Sequence, residues 1–171
     1  MKEIICASAY VFSQNNIDTD QIYPGRYLEL TEPEDIVKHA MKGIDEDFVH
    51  RFKAGGVVIG GQNFGCGSSR EHAVITLKEL GVSAVIAESF ARIFFRNAIN
   101  LGVPIVECPE ISSRVKEQDV LEINFADGII KNLTNGELYQ GNKIDAVAYE
   151  ILHDGGIVQK IRNSKKSLKN Q

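Results

Sequence analysis

The sequence predicts an α/β domain in which a mixed parallel and antiparallel sheet is flanked by helices. Three observations carry this. Short apolar runs at Val57–Gly60, Ala84–Ala87 and 104–107 are separated by stretches of helical spacing, the β-α-β order of a parallel sheet with right-handed crossovers. After residue 120 the pattern turns to alternation, and Asp127-Gly128 and Asn135-Gly136 are hairpin signals of an antiparallel meander. A length of 171 residues, 43% hydrophobic and 25% charged, suits one domain with its own core.

Each element follows in turn. Ile4–Phe12 is apolar and β-prone and reads as the first strand. Residues 15–20 are polar and turn-rich, and residues 23–33 connect onward with Pro24 and Pro33 near their ends. Pro33-Glu34-Asp35 predicts a helix start with Thr31 as its cap, giving short helices over 34–42 and 45–53. Val57–Gly60, bounded by glycines, reads as a buried strand, followed by a loop over 61–67. Ala73, Val74, Leu77 and Leu80 place a helix over 69–80, stopped by Gly81. Strands over 84–87 and 104–107 enclose a helix over 90–101 stopped by Gly102. Residues 120–140 form the meander, and 144–162 return to helical spacing with a break at Gly155-Gly156. The single domain is expected to span 1–162, with a polar, frayed tail over 163–171.

Composition excludes several functions. Nineteen Lys and Arg against 23 Asp and Glu give a net charge of −4, and the pI near 5.6 argues against a nucleic-acid binder. No apolar run reaches the roughly 18 residues needed to span a membrane. The N-terminal segment reads poorly as a signal peptide, so a cytoplasmic location is expected. Cys6, Cys66 and Cys108 are dispersed without a C-x-x-C pair, which predicts neither a disulfide framework nor a zinc or iron–sulfur site on this chain. Cys6 and Cys108 are expected to be buried small hydrophobes. His39, His50, His72 and His153 form no ligand cluster, so no metal ligand is expected.

The chemistry concentrates in residues 60–72, GGQNFGCGSSREH. Gly60, Gly61, Gly65 and Gly67 sit between a buried strand and a helix, where backbone N–H groups and the positive end of the helix dipole favour an anion. The segment lacks the Gly-Lys-Ser/Thr of a Walker loop and the Gly-x-Ser-x-Gly of a hydrolase elbow. Ser68 with Glu71 has capping-box spacing, and on that reading Ser68 only caps the helix. The concentration of Ser68, Ser69, Arg70 and His72 behind the glycines favours a binding or catalytic site instead. Arg92 and Arg96, four apart on one helix, suit a carboxylate, a subunit interface or plain solvation. A non-catalytic anion-binding module is a rival reading, and an RNA-binding role is a second, which the acidic balance disfavours.

GGQNFGCGSSREHA, with SFARIFFRNAINLGVPIVE downstream and NIDTDQIYPGRYL upstream, resembles the small subunit of 3-isopropylmalate dehydratase from Ile17 to about Val158. That subunit is similar to the swivelling β/β/α domain of the aconitase C-terminal type. The resemblance implies a hydro-lyase subunit of leucine biosynthesis. It would interconvert 2- and 3-isopropylmalate by dehydration and rehydration, and be active only with a large subunit that carries a 4Fe–4S cluster. It implies no cofactor on this chain, a small hydroxy-dicarboxylate substrate, and self-association as an option for the isolated chain. By resemblance Ser68 is the catalytic base and Arg70 binds a substrate carboxylate, with Ser69 and Gly67 alongside. Asp18, Thr19 and Asp20 match the family's Asp-Thr-Asp turn and are expected to position the loop, as is His72 from its place near a helix N-terminus. In this family the residues after Tyr27-Leu28 help select the substrate. Glu29 would repel a third carboxylate, which disfavours homoaconitate, and Leu30 suits an isopropyl group. Glu29 matches neither the arginine of homoaconitase-like members nor the apolar residue of isopropylmalate-type members, so related malates stay open.

Overall fold

Seven strands form one sheet among the described residues, 2–169, of the computed structural model. They are β1 (Ile4–Phe12), β2 (Val57–Gly60), β3 (Ala84–Ala87), β4 (Ile105–Glu107), β5 (Val120–Asn124), β6 (Ile129–Asn132) and β7 (Leu138–Gln140). The order is β4-β3-β2-β1-β5-β6-β7. β1 to β4 pair in parallel, Val58 lying between Tyr10 and Val85. β5 pairs antiparallel with β1, Ile123 opposite Ile5, and β6 and β7 continue the antiparallel half. The mixed sheet expected from the sequence is thus present, with β1 as the seam between its halves.

The helices are α1 (Thr19–Ile22), α2 (Pro33–Ile36), α3 (Phe48–Arg51), α4 (His72–Glu79), α5 (Arg92–Leu101), α6 (Ile111–Arg114), α7 (Ala146–His153) and α8 (Ile157–Lys169). Alternation along the strands serves two cores. Tyr10, Phe12, Val58, Val85 and Ile105 face Val74, Leu77, Phe94 and Leu152 from α4, α5 and α7, together with Phe48. Val57, Ile59, Ile86, Val106, Leu121 and Ile123 face Ile111 of α6 and Val115 on the other side. Each such buried side chain contributes about 1.5–3 kcal/mol relative to exposure. Gly81 (φ +85) and Gly102 (φ +79) end α4 and α5 in the left-handed conformation, as their positions in the sequence predicted.

Several local expectations are corrected. Thr31 does not cap α2; Glu32 holds the cap position without a side-chain bond, and Pro33 starts the helix. The helices expected over 34–42 and 45–53 shrink to α2 with a 3₁₀ turn at Val37–His39, and to α3. Cys6 is exposed rather than buried, on the face of β1 opposite to buried Ala7, its neighbour in the same ladder with β5; Cys108 is buried as expected. Residues 163–169 form the end of α8. Arg162, Lys165 and Lys166 are good helix formers. Residues 170–171 of the expected tail lie outside the described residues.

Candidate active site

The glycine loop between β2 and α4 is pinned to the segment that enters α1. Gly65 N–H donates to Ile17 O (2.7 Å), and Thr19 N–H donates to Cys66 O (2.8 Å). Ser68 N–H donates to Thr19 Oγ1 at 3.0 Å. α1 is held rigid by a capping box: Asp18 Oδ1 accepts from Gln21 N–H (2.7 Å), while Gln21 Oε1 accepts from Asp18 N–H (2.9 Å). Asp18 and Thr19 therefore touch the loop. Asp20 acts on a different segment: its Oδ1 accepts from Gly25 N–H at 2.6 Å, at the head of a 3₁₀ turn, Gly25–Tyr27.

Two glycines in the loop are required by the geometry. Gly65 has φ +79, and a Cβ there would lie 2.2 Å from Phe94 Cγ on α5. Gly67 has φ +100, with Thr19 Oγ1 3.2 Å from the position a Cβ would take. The backbone thus comes close to both α1 and α5, and Ser68 is turned outward between them.

Ser68 does not cap the helix. α4 begins at His72, its cap position is Glu71, and no side chain caps it. Instead Ser68 Oγ accepts from Arg70 Nε at 2.8 Å and from Arg70 N–H at 3.3 Å. Among the described residues no protein acceptor takes the Nη atoms of Arg70. A guanidinium donating to a hydroxyl oxygen favours negative charge on that oxygen, and its free face remains available for a carboxylate. Gly65, Gly67 and Ser68 line a cleft of about 380 Å³ with Asn63, Arg92, Ile93 and Arg96. The structure therefore brings Arg92 and Arg96 to the same cleft as Ser68. It also supplies a partner that sequence reasoning missed: Asn97 on α5 donates from Nδ2 to Ser69 O at 3.3 Å. Nothing in a lone helical asparagine signals that contact.

The remaining residues sit to one side. His72 stacks on Tyr23, ring centroids 6.2 Å apart and planes within 12°, and its Nδ1 is buried without a partner. Glu29 is exposed and Leu30 half-buried, both directly after the 3₁₀ turn. That turn borders Arg70, since a Cβ on Gly25 would lie 3.8 Å from Arg70 Nη1.

Among the described residues no three or more His, Cys, Asp or Glu side chains gather into a metal-binding group. An iron–sulfur cluster needs converging thiolates. Exposed Cys6, half-buried Cys66 and buried Cys108 stand on separate elements and do not fit one.

The mixed sheet, the glycine loop and the Ser68–Arg70 pair define an aconitase C-terminal type of domain, and the family of that description matches residues 10–110. The isopropylmalate/citramalate isomerase small subunit of Methanocaldococcus jannaschii is 52% identical over 92% of this chain and 94% of its own. The 3-isopropylmalate dehydratase small subunit of Ruminiclostridium cellulolyticum is 51% identical over 88% and 92%. A crystal structure of 3-isopropylmalate dehydratase from M. jannaschii superposes with a TM-score of 0.92 at 40% identity, covering 98% of both chains. The chain belongs to the 3-isopropylmalate dehydratase small-subunit family.

Proposed function

We propose that this chain carries the proton-transfer and carboxylate-binding half of a two-subunit hydro-lyase that interconverts 2- and 3-isopropylmalate. The observation that carries the reading is the Ser68 Oγ–Arg70 Nε contact at 2.8 Å on the rim of the cleft. Ser68 takes the proton from the carbon α to a carboxylate and returns it on rehydration. Arg70 lowers the cost of charge on Ser68 Oγ and holds a substrate carboxylate with its Nη atoms. Gly67 and Ser69 present backbone to the same anion, and Arg92 and Arg96 set a positive far wall.

On this reading the 4Fe–4S cluster of the reaction is held by the large subunit, and the three cysteines of this chain stand on separate elements. Among the described residues no helix is long and apolar enough to cross a membrane, and the assembled enzyme is proposed to work in the cytoplasm. The name of the M. jannaschii relative includes citramalate, which supports a second reading in which a methyl-substituted malate is also turned over. The test is a substrate panel on the complex co-expressed with its large subunit. Interconversion of the isopropylmalates supports the reading. Tight binding of phosphorylated ligands without turnover of any malate would make the chain an anion-binding module instead.

A further inference from the structure

We infer that His39 is a positioning residue for the wall of the site beside Arg70, acting through a run of packed rings that ends at the head of α4. The inference rests on the proposed function and deepens it. The wall is the 3₁₀ turn Gly25–Tyr27 with Leu28, Glu29 and Leu30 behind it. The turn lies beside Arg70 Nη1, so a substrate carboxylate held by that guanidinium sits next to it.

The turn has few bonds of its own. Tyr27 N–H donates to Pro24 O, Leu28 N–H to Gly25 O and Leu30 N–H to Tyr27 O, each between 3.0 and 3.2 Å. What fixes it lies on other segments. His39 lies flat on Tyr27, centroids 3.6 Å apart and planes within 6°. Tyr23 donates its hydroxyl to Tyr27 O at 2.8 Å and packs against the Tyr27 ring at 6.3 Å. Tyr23 in turn stacks on His72. The rings His39, Tyr27, Tyr23 and His72 thus run from the wall to the helix that follows Arg70.

His39 can act as a platform because the chain behind it is anchored. Met41 N–H donates to Ile22 O (2.7 Å) and Gly43 N–H to Gln21 O (3.0 Å), which ties 41–43 to α1. Ala40 and Met41 are fully buried. The Tyr27 ring also carries Arg26 at 4.9 Å and Lys42 at 5.8 Å. A neutral imidazole adds no third cation there. Burial first, then Lys42, Arg26 and Lys38, hold His39 below its ordinary pKa, against an opposing pull from Asp35. Its Nδ1 is buried without a partner, so the ring is held by its face rather than by a hydrogen bond.

The experiment uses the complex with its large subunit and two variants, His39→Ala and His39→Phe. One readout is the ratio of kcat/KM for 3-isopropylmalate to that for citramalate. The other is trypsin cleavage after Arg26, within the turn. Loss of one ring pair predicts that His39→Ala shifts the ratio and speeds cleavage at Arg26 by about 2- to 12-fold, with cleavage elsewhere unchanged. His39→Phe, which keeps a flat ring, is predicted to stay near wild type on both. Unchanged ratio and cleavage in His39→Ala, or a His39→Phe variant that behaves like His39→Ala, would overturn the inference. Acceleration at every Lys and Arg would mean a general loss of fold and would overturn it too. If the wild-type complex turns over neither acid, the proposed function fails, and the Arg26 cleavage rates alone decide on the stack.

Discussion

Replacing Ser68 with alanine separates chemistry from structure, because the structure removes the hydroxyl from the helix cap. Its oxygen makes two contacts, both with Arg70, at 2.8 and 3.3 Å, and both at the protein surface. The backbone N–H of Ser68, bonded to Thr19 Oγ1, is retained in the variant. Two solvent-facing hydrogen bonds are worth about 1 kcal/mol together at most, since water replaces them. For a domain of this size that lowers the melting midpoint by about 2–4 °C. Loss of a general base costs about 10²- to 10⁴-fold in turnover, equivalent to about 2.7–5.4 kcal/mol of barrier. Ser68→Ala is therefore predicted to fold and assemble normally while losing at least 10²-fold in kcat, with KM little changed. The assay is initial-rate interconversion of 3-isopropylmalate by the complex, alongside a thermal melt. A folded variant with near wild-type kcat would refute the role of Ser68. A drop in kcat matched by a large loss of folded complex would refute the separation.

Three further outcomes follow from single positions. Glu29→Arg exchanges an exposed carboxylate behind the wall for a cation. At ~4 Å and an effective dielectric near 20, like charges repel by about 4 kcal/mol, and solvent screening leaves about a tenfold shift toward homoaconitate in its kcat/KM ratio against 3-isopropylmalate; an unchanged ratio would place Glu29 away from the substrate. Gly65→Ala forces a Cβ to within 2.2 Å of Phe94 at φ +79, so it is predicted to destabilise by at least about 1–3 kcal/mol and to abolish turnover by moving the loop; a wild-type melt would contradict the close approach. Burial raises the Cys108 thiol to about 11, so iodoacetamide at pH 8 is predicted to label exposed Cys6 in the native chain and Cys108 only after unfolding, as mass spectrometry of the labelled peptides would show.

The parallel half of the fold was legible because its strands are short apolar runs and its helices end at Gly81 and Gly102, signals that depend on neighbours in sequence. The antiparallel half was legible from Asp127-Gly128 and Asn135-Gly136 for the same reason. The site was legible as a segment, since the glycines, Ser68 and Arg70 are contiguous. Its internal logic was not. Ser68-x-x-Glu71 and Asp18-x-x-Gln21 have the same capping spacing, and only the second forms the box. What decides between them is the left-handed turn at Gly67 and the tie of Ser68 N–H to Thr19, a contact between residues 49 apart. The Gly25–Tyr27 turn and α6 escaped notice because each is a single turn fixed by distant packing, such as His39 on Tyr27 and Ile111 in the second core. Cys6 was misplaced because cysteine as a residue type favours burial, whereas the sequence gives no sign of where helical cover over the sheet stops.

The most direct test of the central claim is a mixing titration. A fixed amount of large subunit is titrated with this chain, and the rate of 2- to 3-isopropylmalate interconversion is followed. If Ser68 and Arg70 complete a site shared with the large subunit, each component alone is inactive, the rate rises to saturation at a fixed ratio, and Ser68→Ala saturates at the same ratio with at least 10²-fold lower rate. Full activity of the large subunit alone, or of this chain alone, would contradict it.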